Sequence, residues 1–177
     1  MTNITQTAQS FQDIHVAGAI AMVTGIVSTI GVVLLIAMFV LFATPYKELG
    51  NQAGWLNDIC VALQYLLTIP IALALYRILP DDHPTLMRIA TVVGIGSMII
   101  VVGLQLMLVF KLIAFERQVL WVSMAMILGV GFWLVTTGFA ARSTGRLPNS
   151  LVMSSLAVPY LGFPVWAFWL GLHLLGW

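Results

Sequence analysis

The chain has 177 residues, 61% hydrophobic and 7% charged, with a formal net charge of +1. Soluble domains carry about 25% charged residues, so this chain lacks the polar surface to cover a water-soluble fold, and its class is integral membrane. The small net charge excludes the electrostatic footprint of a nucleic-acid binder, and a lone cysteine, Cys60, excludes an intrachain disulfide.

Crossing the hydrocarbon core takes about 20 apolar helical residues. Five stretches meet this and predict an all-α integral membrane bundle of about five transmembrane helices, a single domain over residues 1–177. No Lys or Arg precedes Lys47, so the first run lacks the basic flank of a cleavable signal peptide and reads as a permanent helix. It covers 16–44, follows a polar Thr/Gln/Asn tail and stops at Pro45. The second covers 59–78 and stops before Pro80. The third covers 85–110, with Asp81 or Asp82 as cap and Pro84 near its first turn. The fourth covers 119–141. The fifth, 151–177, is entered through Pro148 and Asn149 and contains Pro159 and Pro164. Short connections make successive helices antiparallel neighbours.

Five spans place the termini on opposite faces. The face with the N-terminus then holds Arg77, Arg88, Arg142 and Arg146, and the other holds Lys47, Lys111 and Arg117. Four basic residues against three point to a cytoplasmic N-terminus and an external C-terminus. Trp55, Trp121, Trp169 and Trp177 read as an interfacial belt on the outer face. Helix contacts in lipid rely on small residues. Ala17, Ala21, Gly25 and Thr29 form such a stripe on the first helix, Gly96 and Gly103 share a face of the third, and Gly131 and Gly138 one of the fourth. All read first as packing faces, within the bundle or toward partner subunits.

Ionisable and amide groups inside a membrane are costly unless partnered. Asp58 sits at the mouth of the second helix, with Gln64 about 9 Å deeper. Gln105, Lys111 and His173 reach the same half of the bilayer under five-span threading. Together they form a candidate polar cluster. The plainer reading is structural: glutamines as interhelical glue, Asp58 as a cap and Lys111 snorkelling. His15 and His173 fall at opposite ends under this threading and so cannot be axial partners on one haem, leaving only single-histidine pigment ligation by His173. His83 with Asp81 and Asp82 does not make a recognisable metal site. No HExxH, phosphate-binding loop, matched Ser-His-Asp set or central membrane charge occurs, which leaves little support for catalysis or ion pumping.

The last helix is the other candidate. Pro159 and Pro164 free the carbonyls of Ser155 and Tyr160. The bend either shapes packing or frames a groove lined by Tyr160, Phe163, Trp166 and Phe168, suited to a lipid, quinone, carotenoid or other pigment.

Leu75-Tyr76-Arg77-Ile78-Leu79-Pro80, Ser143-Thr144-Gly145-Arg146-Leu147-Pro148 and Gly162-Phe163-Pro164-Val165-Trp166-Ala167-Phe168-Trp169-Leu170-Gly171 resemble motifs of a broad group of uncharacterised bacterial multipass membrane proteins. Members of that domain-of-unknown-function type often carry a Gly-Arg-Leu-Pro-like loop before a Trp-rich last helix. The resemblance implies a bacterial inner-membrane protein and brings no catalytic residues. The expectation is a small non-catalytic accessory or structural subunit of a larger membrane complex, bound to other membrane proteins. A carrier for a hydrophobic ligand comes next, then a membrane enzyme using the polar cluster.

Overall fold

A computed structural model describes residues 2–79, 84–144 and 162–176, with side chains described for 14–79, 84–143 and 163–176. The described elements are all helical: α1 (Thr2–Phe42), α2 (Lys47–Ile78), α3 (Pro84–Val109), α4 (Phe115–Met124), a π-helical segment (Ala125–Val130), α5 (Gly131–Thr144) and α6 (Gly162–Leu175). The π segment joins α4 to α5 in one rod. Among the described residues, four helices are long and apolar enough to cross a membrane: Ile14–Phe42, Lys47–Ile78, Pro84–Val109 and Phe115–Ser143. The apolar part of α6, Phe163–Leu175, is shorter, and 151–161 of the expected last helix lie outside the described residues.

The helices begin earlier than hydropathy predicts. α1 takes in the polar segment from Thr2 rather than starting at Val16, since extending a formed helix costs far less than nucleating one. α2 starts at Lys47, not Ile59. Its first three turns are too polar for a hydropathy window, but they carry Gly50, Ala53 and Gly54 on one face. A Cβ on Gly50 would lie 2.7 Å from the Phe42 ring, and one on Gly54 would lie 2.8 Å from the Met38 sulfur. Glycine there lets α2 lie against the end of α1, and that contact carries the helix past its polar residues. α4 starts at Phe115 rather than Val119, with Glu116 in its first turn, where a carboxylate complements the helix dipole.

The turn after α3 has a defined cap. Leu112 N–H donates to Met107 O at 2.7 Å and Lys111 N–H donates to Leu108 O at 2.9 Å. Lys111 takes φ 59°. This is the Schellman arrangement, with lysine in the left-handed position that usually takes glycine.

α1 packs against α2 and α6, α2 against α3, and α3 against the α4–α5 rod. The direction of α6 corrects the five-span threading. A Cβ on Gly18 would meet Leu174 and Leu175, one on Gly25 would meet Phe168, and one on Gly171 would meet Met22 and the Gly18 carbonyl. Numbers fall along α6 as they rise along α1, so the two helices are antiparallel. Five alternating spans would make them parallel. Leu175 therefore sits beside the start of the membrane part of α1, the end where α5 also finishes. Hydropathy measures only the length of an apolar run; the direction of α6 is set by the match of Gly18, Gly25 and Gly171 to their partners.

Candidate functional site

Four aromatic residues meet in the middle of the bundle. Tyr65 of α2, Trp133 of α5, and Phe163 and Trp166 of α6 are each at most 4% exposed. Trp133 and Trp166 stand edge to face at 6.0 Å between centroids. Phe163 lies 5.4 Å from Trp166 and 6.2 Å from Tyr65. These separations are those of favourable aromatic pairs, worth about 0.5–1.5 kcal/mol each beyond their buried area.

The sequence around Trp133 explains how so large a side chain is placed. A Cβ on Gly94 of α3 would lie 2.6 Å from Trp133 Cβ, so only glycine admits the indole there. One turn away, Gly129 of the π segment gives the same clearance to Ser97. A π turn holds one residue more than an α turn, and this one ends three residues before Trp133.

Polar groups in this apolar setting behave in two ways. Thr24, Thr29, Thr68 and Thr136 each donate to the carbonyl four residues back, at 2.7–2.9 Å. Thr91 and Thr137 do not. Their hydroxyls, with the indole nitrogen of Trp133, are buried without a hydrogen-bond partner among the described residues. The contacts at Gly94 and Gly129 set the antiparallel register of α3 and α5, which brings Thr91 level with Thr136 and Thr137, one turn from Trp133.

The residues singled out from sequence fall in several places. Gln105 is buried, and its amide oxygen accepts from Gln118 Nε2 at 2.8 Å. The glutamine pair thus joins α3 to α4, where sequence left Gln118 in a loop. Gln64 is buried on α2, and its backbone carbonyl accepts the Thr68 hydroxyl. Asp58 is half-buried beside Asn57, whose side chain approaches Gly31 of α1. Lys111 is exposed in the turn. Phe163 and Trp166 point into the core, whereas Phe168 is 41% exposed with its backbone against Gly25. The three therefore do not line one surface, and Tyr160 lies outside the described residues.

His173 is displaced most from its expected place. The antiparallel course of α6 moves it to the end of the bundle that begins α1, away from Asp58 and Lys111. Its level on α1 is about 6 Å along the axis from His15, not most of a membrane thickness, so depth no longer separates the two histidines. Trp169 leaves the aromatic belt for the same reason. Trp55 and Trp121, with Tyr46, Phe110 and Phe115, remain exposed near the two turns at the opposite end. Among the described residues no group of three or more His, Cys, Asp or Glu could hold a metal ion.

Sequence reading missed Tyr65, Trp133, Thr91, Thr137 and Gln118. The Gly50–Gly54 spacing was a legible signal for the extended α2. Nothing in the sequence marked Trp133 over the other five tryptophans.

These features define a helical membrane bundle with an aromatic centre and a partly unsatisfied polar seam. Set against known protein families, curated proteins and solved structures, the chain matches none of them.

Proposed function

We propose that this chain is a small non-catalytic membrane subunit that binds another membrane protein through the outer face of α3. The observation that carries this reading is the open space at Gly96 and Gly103, where an added Cβ would meet nothing within 4 Å among the described residues. Val92, Ile99 and Met107 continue the same side and are exposed. In lipid, apolar side chains gain little by burial, and close helix approach depends on small residues. A notched apolar face of this kind is suited to a partner helix. Purification in mild detergent followed by native mass spectrometry tests it. A stoichiometric partner lost on Gly96→Leu/Gly103→Leu substitution is the expected result. A monomer without partner in the unsubstituted chain overturns the reading.

We place the chain in a bacterial cytoplasmic membrane as part of this proposal. There, the end bearing Arg77, Arg88 and Arg142 faces the cytoplasm, and the antiparallel α6 brings the end of the described chain to that same face. Topology reporters fused to each terminus are expected to report the cytoplasm at both ends; opposite faces refute this threading.

A further inference from the structure

A threonine inside a membrane helix always has one partner at hand, the carbonyl four residues back. Thr24, Thr29, Thr68 and Thr136 use it. Thr91 and Thr137 leave it unused although they are 4% and 3% exposed, and they share the α3–α5 seam with the fully buried indole N–H of Trp133. Buried polar atoms without partners are rare in proteins, and an ordered water or ligand commonly accounts for one. Three of them lie along the α3–α5 seam without a partner among the described residues, whereas the buried Gln105 and Gln118 amides bond each other.

We propose that this seam is a binding site for a hydrogen-bond-accepting oxygen, held by Thr91 Oγ1, Thr137 Oγ1 and Trp133 Nε1. The indole N–H only donates, so the guest must accept; the hydroxyls can donate to it or accept from it. Two sources share this chemistry: water, and the carbonyl oxygen of a lipophilic molecule. Water fits the polarity of the seam because it can accept from the indole while donating to a hydroxyl. The preceding π turn strengthens the assignment, since such turns occur frequently at functional sites. The site is independent of the outer face of α3.

The test is the state of the Trp133 indole in the full chain in detergent. Its hydrogen-bond-sensitive ultraviolet resonance Raman band is isolated as the difference between the unsubstituted chain and Trp133→Phe. A hydrogen-bonded N–H that exchanges readily in D2O supports a water guest. A hydrogen-bonded N–H that resists exchange supports a lipophilic carbonyl. A band typical of a free N–H overturns the proposal. The double substitution Thr91→Val/Thr137→Val removes both hydroxyls at nearly constant volume and is expected to shift the indole toward the free state. Should Trp133→Phe fail to fold, the spectrum of this double variant serves alone, and no change in any tryptophan band overturns the site.

Discussion

On the inner side of α3, Gly94 receives the Trp133 side chain, with its Cβ position 2.6 Å from Trp133 Cβ; on the outer side, a Cβ at Gly96 or Gly103 would meet nothing within 4 Å among the described residues. Gly94 and Gly96 are two residues apart, about 200° around the helix. By spacing, Gly96 and Gly103 are the better pair, seven residues apart on one face. The structure fills the other face instead, because there a bulky indole on α5 meets a gap on α3. Glycine spacing shows where helices can approach, while the partner side chain decides where they do. The α1 stripe makes the same point from the other direction. Ala17, Ala21 and Gly25 are buried, and Gly25 lies under Phe168.

Substitutions on the two faces should therefore differ sharply, and thermal unfolding in a fixed detergent measures the difference. Trp133→Ala should have the largest effect, about 3–5 kcal/mol of destabilisation, as expected for emptying a large aromatic site. It also removes the edge-to-face contact with Trp166. An unchanged midpoint would show that the aromatic centre is not the core of the bundle. Gly94→Val forces carbon into space that Trp133 occupies and is expected to cost about 1–3 kcal/mol. If it is neutral, α3 and α5 do not meet as described.

The glutamine pair gives a smaller, more specific effect. Gln105→Leu strands the Gln118 amide and should cost about 1–3 kcal/mol, whereas converting both to leucine should restore most of that loss. Additive losses in this cycle would mean that the two amides do not bond each other. The smallest change is expected on the outer face. Gly96→Ala and Gly103→Ala meet no neighbour among the described residues, and by helix propensity each should be neutral or stabilising by up to about 1 kcal/mol. Clear destabilisation at either position in the chain freed of partners would place a neighbouring helix there within the chain itself.

The contrast also shows which parts of the candidate site were legible. Gln105 stood out as a buried amide because amides are rare in apolar runs, but its partner Gln118 sat just outside the hydropathy boundary. Phe163 and Trp166 stood out in an aromatic-rich last helix, but nothing in the sequence says they point inward while Phe168 does not. Thr91 and Thr137 looked like any membrane threonine, since an unused back-bond is a property of conformation rather than of residue type.

The sequence by itself determined the solvent, the helical class and the location of four spanning runs, because apolar length and the need to satisfy every backbone group in lipid leave few alternatives. Tertiary structure decided the direction of the last helix, the partners of Gly18, Gly25, Gly94 and Gly171, and the level of His173. Those depend on the fit of side chains such as Trp133, Met22 and Phe168 against gaps on distant helices, and no local pattern encodes the distance between them.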